Sequence, residues 1–373
     1  MSLYVDVVIL GGGPAGASAA ISLLQKKYTV AIIEKTGFSF VRIGETISPK
    51  VTDLFQKLGI KNKILDDHSP SYANQSTWGS SKVEENNFLY NPLGNGWHLD
   101  RLKFDSQLIE HAAKMGAYIF TNSNIKTIEQ KDTENWRIKF LKTGYEKIIE
   151  AGFAIDATGR NALLARNQGG RRMNIDHLIG IVSVLDKYPK KKQTNYTLVE
   201  SVKNGWWYSA DLPEKKLIVT FMTDADIYKQ ELFRGKNSWI QNLPGAKKTL
   251  ERCGNNFPHK PDIYAANSYI MTKRFGKNWL AIGDAAMSYD PLSSSGILKG
   301  MRDGIEVSDS IQQFFSGEKY ASERFSDLSE ERFIKYLQMR SSYYKIENRW
   351  PDSVFWKRRH FIQKETVYST LIS

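Results

Sequence analysis

Residues 4–34 read YVDVVILGGGPAGASAAISLLQKKYTVAIIE, and this stretch decides the fold. Residues 4–10 are nearly all apolar, as expected of a strand that is buried on both faces of a parallel sheet. A glycine-rich turn follows, then small apolar residues at 15–25 that suit a helix packed closely on a sheet, and then a second apolar strand at 29–33. The stretch therefore predicts a βαβ unit, and with it an α/β fold.

The glycines of the turn have the spacing Gly11-x-Gly13-x-x-Gly16. The first permits a tight turn, the second lets the backbone approach a pyrophosphate, and the third lets helix and strand pack closely. Glu34 ends the second strand, where an acid accepts hydrogen bonds from an adenosine ribose and disfavours a 2′-phosphate. A purely structural glycine turn would not require this acid. We therefore predict a dinucleotide site formed by Gly11, Gly13, Pro14, Ala15, Gly16, Glu34 and Lys35.

Two further strand ends carry glycine and acidic residues. Residues 281–286, AIGDAA, follow an apolar strand and open a helix, so that Asp284 is placed to accept hydrogen bonds from ribityl hydroxyls. Residues 156–160, DATGR, form a third turn of this kind. The three motifs, in this order, resemble the large flavoprotein family that includes aromatic hydroxylases and flavin-dependent halogenases. The resemblance implies a Rossmann-type FAD-binding domain, like that of glutathione reductase, in which FAD contacts Ala157, Thr158, Gly159, Gly283 and Asp284.

Two segments resemble the halogenase-like branch of that family. Residues 44–49, GETISP, resemble its glycine–glutamate segment beside the flavin, and residues 289–297, YDPLSSSGI, resemble its segment next to the isoalloxazine ring. Small residues there would leave a thin backbone wall against the ring. The resemblance implies FAD contacts by Gly44, Glu45, Thr46, Pro291, Ser294, Ser295, Gly296 and Ile297. We expect Arg42, Arg101 and Ile125 to complete the site.

Three more strings narrow the resemblance: GWHLDR at 96–101, GWWYSA at 205–210, and RWP at 349–351 with FWKRR at 355–359. Together they resemble the flavoprotein maturases of cysteine tryptophylquinone enzymes, the partners of lysine ε-oxidase and glycine oxidase. The resemblance implies a monooxygenase that hydroxylates a tryptophan of a precursor oxidase through a flavin C4a-hydroperoxide. Because no second Gly-x-Gly-x-x-Gly follows a strand, we expect electrons from transiently bound NAD(P)H or from a separate flavin reductase.

Aromatic residues supply the candidates for substrate binding. Trp97, Trp206, Trp207 and Tyr208 are able to stack on an incoming indole, at about 0.5–1.5 kcal/mol per aromatic pair, although core packing explains any one of them at least equally well. His98 is a candidate proton shuttle, because histidine titrates near neutrality, or else it belongs to a segment that holds FAD. The catalytic candidates are His98, Trp206, Trp207 and Tyr208.

Other functions stay open. Tryptophan halogenases have a lysine shortly after a Ser-Tyr pair and a Gly-Trp-x-Trp-x-Ile-Pro string. Here Ser71-Tyr72 continues Ala73-Asn74, and no tryptophan follows Trp206 at the second position. Both differences favour oxygen insertion, but halogenation or hydroxylation of a small aromatic compound is an alternative. Two further alternatives are an FAD reductase of isoprenoid lipids and a flavin-binding chaperone without catalysis.

Length and pattern predict two interleaved domains. A chain of 373 residues exceeds what one core usually organises. Segments at 179–185, 196–202, 206–210 and 217–221 predict an antiparallel sheet, and the chain becomes helical after 279–282. We expect an FAD-binding domain at 1–70, 96–165 and 270–325, a β-rich substrate domain at 71–95 and 166–269, and a helical C-terminal segment at 326–373.

Charge and composition limit the partners and the location. The chain has 52 Lys and Arg against 40 Asp and Glu, a net charge of +12, and a single cysteine, Cys253. The cysteine count fits a reducing compartment, and the apolar stretch at 5–24 contains a glycine cluster, so we expect a cytoplasmic protein without a membrane span. We expect neither a metal site nor nucleic acid as a partner. An acidic precursor protein is the expected partner of the surplus charge, including that at 190–192 and 357–359.

Overall fold

A computed structural model describes residues 2–39, 42–131, 135–186, 194–232, 238–254 and 261–360. The basic run at 190–192 lies outside the described residues. The strands are β1 (Leu3–Leu10), β2 (Val30–Ile33), β3 (Thr46–Ile47), β4 (Ser69–Ser71), β5 (Ala73–Thr77), β6 (Glu84–Asn87), β7 (Gly96–His98), β8 (Tyr118–Phe120), β9 (Ser123–Gln130), β10 (Trp136–Lys142), β11 (Tyr145–Asp156), β12 (Arg172–Asn174), β13 (Leu178–Asp186), β14 (Tyr196–Val202), β15 (Gly205–Leu212), β16 (Lys216–Asp224), β17 (Asp262–Ala265), β18 (Tyr269–Met271), β19 (Phe275–Gly276), β20 (Trp279–Ala281) and β21 (Met287–Ser288). The α-helices are α1 (Pro14–Gln25), α2 (Val51–Leu58), α3 (Arg101–Lys114), α4 (Leu163–Asn167), α5 (Ala225–Leu232), α6 (Lys247–Cys253), α7 (Gly296–Phe315), α8 (Ala321–Ile346) and α9 (Val354–His360).

The predicted βαβ unit is the centre of an eight-stranded sheet. Strands β8, β2, β1, β11 and β20 lie side by side and run parallel, while β19, β10 and β9 pair antiparallel with their neighbours. Helix α1 connects the first two strands of the unit. The α/β prediction, with a Rossmann-type arrangement at the N-terminus, is therefore confirmed.

The carboxyl ends of the parallel strands are in register. Leu10 of β1 pairs with Ile33 of β2 on one side and with Asp156 of β11 on the other, and Asp156 pairs in turn with Ala281 of β20. The turns after these four residues therefore leave the sheet at one edge. In open α/β sheets this is the edge where ligands bind.

Both faces of strand β1 are covered, which explains its continuous apolar sequence. Val7 and Ile9 belong to a core that includes residues of α1, α2, α3 and α7. Val8 and Leu10 point the other way, into a core that includes residues of α4 and α8. Alternate side chains of the strand thus bind helices to opposite faces of the sheet.

Helix α7 packs directly against the first turn of α1, next to the glycine turn that precedes it. A Cβ atom on Gly304 would lie 2.4 Å from the carbonyl oxygen of Ala15, and one on Gly300 would lie 3.4 Å from the Cβ of Ala15. The absence of side chains at these two positions lets the helices approach closely. A helix from the last quarter of the chain therefore completes the environment of the first turn.

The β-rich segments form a seven-stranded sheet in the order β17-β13-β16-β15-β14-β5-β6. Five of its six pairings are antiparallel, but β5 runs parallel to β14, so that Ala73 pairs with Tyr196 and Thr77 with Glu200. The four segments predicted to form an antiparallel sheet, now β13 to β16, do pair antiparallel with one another, and β5 joins them through the one parallel pair. Strand β5 arrives from a distant part of the chain and not through a hairpin, so its direction is not dictated by a turn.

Helices α8 and α9 join the two large sheets. Phe333 and Tyr336 of α8 pack on the core of the parallel sheet, whereas Tyr344 of α8 and Trp356 of α9 pack with Trp206 of the seven-stranded sheet. The helical character predicted after residue 282 is confirmed for α7, α8 and α9, as far as residue 360, but it begins only at Gly296, because β21 and a loop come first. In the described part of the chain, no helix is both long enough and apolar enough to cross a bilayer.

Candidate cofactor and active site

Three glycine turns meet at the carboxyl edge of the parallel sheet. A Cβ on Gly11 would lie 2.3 Å from the carbonyl oxygen of Ala157, and one on Gly16 would lie 2.0 Å from the carbonyl oxygen of Gly11. A Cβ on Gly283 would lie 3.0 Å from the Cβ of Ala15. Three distant parts of the chain therefore form one surface, and their close approach leaves no room for a side chain at Gly11 or Gly16.

Gly13 differs from these glycines because it faces open space. A Cβ placed on it would have one close neighbour, the Arg42 guanidinium nitrogen Nη1, at 3.9 Å. Gly13 also precedes α1, whose first residue is Pro14. The N–H groups in the first turn of a helix have no acceptor within the helix. Since the packing of the chain does not require glycine at this position, the open space fits a pyrophosphate bound from outside.

Glu34 reaches this surface from the end of β2. Its Oε2 accepts a hydrogen bond from the Gly12 N–H at 2.7 Å, while its Oε1 accepts from the N–H and hydroxyl of Thr36 and from Arg42 Nη2. The side chain is buried, but Oε2 keeps acceptor capacity. That capacity suits the ribose hydroxyl expected there, while the next residue, Lys35, is exposed.

Two arginines share one buried carboxylate beside the turn. Arg42 donates from Nη1 to Asp105 Oδ2 at 2.8 Å, and Arg101 donates from Nε to Asp105 Oδ1 at 3.1 Å. Arg101 also donates from Nη1 to the carbonyl oxygens of Ile43 at 2.7 Å and of Gly44 at 3.1 Å. Asp105 therefore positions both arginines that we expected at the cofactor. Sequence reasoning missed Asp105, although its spacing of four residues from Arg101 on a helix was a usable signal.

Glu45 is the next residue along this segment, and only 4% of it is exposed. Burial raises the pKa of Glu45 from 4.5 to about 7, although the nearby Arg101 guanidinium acts in the opposite direction. Near neutral pH the carboxyl group is therefore divided between its protonated and ionised forms. A carboxyl group with a pKa in this range, next to a segment expected to flank a flavin, is a candidate for proton transfer.

A buried ion pair on α7 holds the turn at Gly283 and Asp284. Lys299 Nζ donates to the Gly283 carbonyl oxygen at 2.9 Å and to Asp303 Oδ2 at 2.8 Å, and Asp303 Oδ2 accepts from the Gly283 N–H at 3.1 Å. Sequence reasoning missed both residues, although Lys and Asp four apart on a helix are a recognisable pair. Asp284 itself is partly exposed, and its Oδ2 lies 3.9 Å from Nε of Arg160.

Asp156 shapes the third turn. Its Oδ1 accepts from the N–H of Thr158 at 3.0 Å and from the hydroxyl of Thr158 at 2.6 Å, and its Oδ2 accepts from the Ala165 N–H at 2.9 Å. Burial raises the pKa of Asp156 above its usual range. These bonds fix Ala157 and Gly159 relative to the strand end, so that Ala157 is able to pack against Gly11.

Asp290 anchors the loop expected to face the flavin. Its Oδ1 accepts from the Leu292 N–H at 2.9 Å, and its Oδ2 accepts from Arg340 Nε at 2.9 Å and from the Tyr344 hydroxyl at 2.8 Å. The Asp290 N–H donates to the Tyr336 hydroxyl oxygen at 2.6 Å. Helix α8 therefore holds the start of this loop through three side chains that sequence reasoning did not connect with the site.

Beyond this anchor the loop is open. Pro291, Ser294 and Gly296 are exposed, and Ser295 is half-buried. A Cβ on Gly296 would meet no atom within 4 Å. Ile297, at the start of α7, is buried in the core, so the loop ends on an anchored residue. An accessible backbone with small side chains fits the thin wall that the resemblance implies.

A chain of hydrogen bonds leads from the cofactor edge to the seven-stranded sheet. The Tyr208 hydroxyl lies 2.6 Å from Thr46 Oγ1, Thr46 Oγ1 lies 3.2 Å from Thr197 Oγ1, and His98 Nε2 lies 3.0 Å from Thr197 Oγ1. Burial raises the pKa of Tyr208 far above its usual value, so that the phenol keeps its proton. Tyr208 and Leu292 also pack against the same aromatic core. Tyr208 thus contacts one expected flavin-side segment and shares a core with the other.

Trp206 and Trp207 are core residues, only 1% and 0% exposed. As neighbours in a strand they point to opposite faces of the sheet. The ring of Trp206 meets that of Trp78 edge-on, with centroids 6.3 Å apart, and Trp207 stacks on Phe221, with centroids 4.9 Å apart. Their burial does not fit the expectation that they stack on an incoming indole. Trp97 is half-buried against the core of the parallel sheet.

The C-terminal basic string does not provide free charge in the way we expected. Arg358 forms an ion pair with Asp226, and the buried Arg359 forms one with Asp224 at 2.7 Å. Lys357 is half-exposed and lies 3.3 Å from Asp352. The expectation that residues 357–359 serve a macromolecular partner is therefore wrong for the two arginines, because carboxylates of the same chain already neutralise them.

Two other expectations concern Ile125 and metal binding. Ile125 lies in β9, half-buried opposite Phe140, where the register of the strand pair shifts. The N–H of Ser123, two residues earlier, donates to the Glu34 carbonyl oxygen at 3.0 Å, so this strand begins close to the cofactor edge.

Among the residues that the structure describes, no group of three or more His, Cys, Asp or Glu side chains is arranged to hold a metal ion.

Known proteins share these features. A family model described as an FAD binding domain matches residues 4–332. The putative FAD-dependent oxidoreductase LodB of Marinomonas mediterranea is 29% identical over 361 residues, which cover 95% of this chain and 96% of LodB. The matched range contains all three glycine turns and the loop after Asp290. Since the open edge of the sheet also fits a dinucleotide, the cofactor is FAD.

Two solved structures share the fold. The flavin-dependent halogenase CmlS matches with a TM-score of 0.86 at 21% identity, over 99% of this chain and 70% of its own. The peptidyl tryptophan dihydroxylase QhpG, described as essential for tryptophylquinone cofactor biogenesis, matches with a TM-score of 0.78 at 21% identity, over 95% of this chain and 78% of its own. At this level of identity the likeness shows the fold alone.

Proposed function

The chain belongs to the FAD-binding-domain family, and we propose that it is a monooxygenase that hydroxylates a tryptophan of a precursor protein during cysteine tryptophylquinone biogenesis. Membership of the family and the likeness to LodB make it an FAD-dependent oxidoreductase. One observation carries the narrower proposal. Tyr208 bonds to Thr46 in one segment and shares an aromatic core with Leu292 in the other, and both segments are expected to flank the flavin, so Tyr208 is the candidate contact for an incoming electron-rich ring.

The comparisons support a protein substrate. QhpG is described as a peptidyl tryptophan dihydroxylase, and its structure matches 95% of the chain described here. LodB, which matches almost end to end, is described as an oxidoreductase and not as a halogenase. Together they favour oxygen insertion into a tryptophan that is part of a polypeptide.

In this proposal FAD, once reduced, supplies the chemistry that activates O₂. The chain positions the cofactor and the substrate ring and excludes water from the site. Arg101 fixes the backbone at Gly44, and Arg340 fixes Asp290, so that both segments beside the ring are held by buried charge. Glu45 is the residue that we assign to take up the proton that leaves the ring carbon as oxygen replaces hydrogen. Burial raises the pKa of Glu45 to about 7 in the protein without FAD, and this is the property that suggests the role.

One local difference disfavours halogenation. Ala73 and Asn74, where halogenases carry a lysine after the Ser-Tyr pair, lie in β5 and pair with β14. The next lysine along the chain, Lys82, is exposed between β5 and β6. A lysine that handles hypohalous acid has to face the substrate, and an exposed position between two strands does not provide that.

A reconstitution tests the proposal. The FAD-loaded protein is incubated in air with NAD(P)H, with and without a flavin reductase, and with the precursor of a quinone-cofactor oxidase from the same genome. We expect one tryptophan of the precursor to gain the mass of one or two oxygen atoms in peptide mass spectrometry. The comparison of the two mixtures identifies the electron donor.

The control is the Gly13→Val protein, which should lack FAD and leave the precursor unchanged. In a parallel mixture that also contains free indole with chloride or bromide, an unmodified precursor together with halogenated indole would sink the proposal in favour of halogenation. NAD(P)H oxidation without any modified product would instead favour a flavin-binding chaperone.

A further inference from the structure

A groove beside α4 is lined mainly by basic side chains. Its volume is about 770 Å³, and its lining residues are Leu163, Arg166, Asn167, Gly170, Arg171 and Arg172. None of these six residues is acidic, and all three arginines are exposed. Within the described ranges, none of the three guanidinium groups forms an ion pair. Three exposed positive charges therefore line one groove without an ion-pair partner among the described residues.

Arginines at other key places of the molecule are neutralised internally. Arg101 pairs with Asp105, Arg340 with Asp290, and Arg359 with Asp224. Because those charges are already satisfied, they contribute little to the attraction of a partner. The groove is where part of the net charge of +12 remains available, and a concave surface of one sign concentrates its potential.

The groove leads to the cofactor edge. The guanidinium carbon of Arg172 lies 4.9 Å from the centre of the Tyr269 ring, and that of Arg160 lies 5.4 Å from it. The Tyr269 hydroxyl donates to the carbonyl oxygen of Asp284, in the turn expected to hold the ribityl chain. One aromatic ring thus separates the groove from the FAD turn, and Arg172 is held in place by its contact with that ring.

We propose that this groove docks an acidic, extended segment of the protein substrate. The proposal rests on the proposed function for the identity of the partner. Guanidinium groups bind carboxylates through paired hydrogen bonds, so three of them around one groove match a segment that carries several Asp or Glu side chains. A segment held there keeps the substrate next to the cofactor edge while its tryptophan enters the site.

The lining favours a peptide over a nucleic acid or a free nucleotide. Single-stranded nucleic acids and bases are bound by aromatic rings on which they stack, together with basic side chains. None of the six lining residues is aromatic. The neighbouring Tyr269 ring is already in contact with two arginines. The groove therefore offers charge and backbone without a stacking platform.

The test measures binding of a short fluorescein-labelled oligoglutamate peptide to the FAD-loaded protein by fluorescence anisotropy. We expect binding that weakens steeply with salt. The triple variant Arg166→Gln, Arg171→Gln, Arg172→Gln should bind the peptide about tenfold more weakly or worse, with unchanged flavin content. The corresponding triple Arg→Lys variant keeps the charge and should retain part of the affinity.

The matched control removes three other exposed charges, through Lys57→Gln, Lys61→Gln and Lys63→Gln, on the opposite face of the parallel sheet. Equal weakening by both triple variants would show a general charge effect and overturn the proposal. So would a groove variant that loses affinity for NADPH but keeps its affinity for oligoglutamate. Peptide binding is measured without turnover. The result therefore decides whether the groove binds an acidic peptide, even if the precursor proves not to be hydroxylated.

Discussion

Arg340 of helix α8 donates from Nε to Oδ2 of Asp290 at 2.9 Å, and both side chains are almost fully buried. Asp290 opens the loop that is expected to face the flavin, whereas Arg340 lies about three-quarters of the way along a helix of 26 residues. The helix therefore determines where the loop begins. The C-terminal helices are part of the site, although none of their residues needs to contact the cofactor.

Replacement of Arg340 by methionine should be costly. It leaves the Asp290 carboxylate buried without its main partner, and loss of one member of a buried ion pair costs about 3–5 kcal/mol. We expect a lower free energy of unfolding in urea titrations and weaker FAD retention on gel filtration.

The control for this prediction is Arg324→Gln, which breaks an exposed ion pair with Glu318. An exposed pair contributes at most about 1 kcal/mol, so this variant should behave like the parent protein. If Arg340→Met keeps both the stability and the flavin content of the parent, α8 does not position the loop.

Valine substitutions at two glycines of the same turn should have different effects. Gly13→Val places its side chain in open space, so we expect a folded protein that is colourless because the pyrophosphate site is occupied. Gly16→Val places a Cβ 2.0 Å from the Gly11 carbonyl oxygen and should destabilise the apoprotein itself. Flavin absorbance and thermal unfolding distinguish the two outcomes. A yellow Gly13→Val protein would contradict the phosphate site assigned here.

The raised pKa of Glu45 predicts how stability changes with pH. The folded protein holds the Glu45 proton up to about pH 7, whereas the unfolded chain releases it near 4.5. Between these values the folded state binds more protons, so its stability falls as pH rises, by about 3 kcal/mol in total. Glu45→Gln should remove this part of the dependence.

Urea unfolding of the cofactor-free protein and of its Glu45→Gln variant, on either side of this pH range, provides the measurement. Cofactor-free protein is used because FAD would alter the surroundings of Glu45. Parallel stability curves for the two proteins would mean that Glu45 is not the group that titrates.

Trp207 and Tyr208 are neighbours with different roles, and substitution should separate them. Trp207→Ala removes a fully buried ring and should cost about 3–5 kcal/mol of stability. Tyr208→Phe removes a hydroxyl group that bonds to Thr46, so the fold should survive while hydroxylation of the precursor slows by about ten- to a hundredfold. A stable Trp207→Ala protein that specifically loses hydroxylation would contradict this assignment and indicate that Trp207 binds the substrate.

The cofactor edge was predictable because its signals are local. Gly11 and Glu34 follow apolar strands directly, Asp284 comes three residues after the end of another, and parallel strands bring their carboxyl ends to one edge. The pairing of Leu10 with both Ile33 and Asp156 is the register that makes this inference hold.

The residues that hold the loops could not be predicted so well. Asp290 and Arg340 are 50 residues apart, and no periodic pattern joins a loop to a helix over such a distance. Trp206 and Trp207 illustrate a signal that was present but unused. Neighbours in a strand point to opposite faces, so at most one of the two was able to face a substrate.

The contact of α7 with α1 has a consequence for when the protein acquires its cofactor. During translation the N-terminal βαβ unit leaves the ribosome first. The helix that packs on Ala15, and the ion pair of Lys299 and Asp303 that holds Gly283, are synthesised much later. A nascent chain that ends before residue 296 has the glycines that we expect to bind the phosphates but only part of the surface around them. We therefore expect FAD uptake to be a late event in biosynthesis that follows the synthesis of α7.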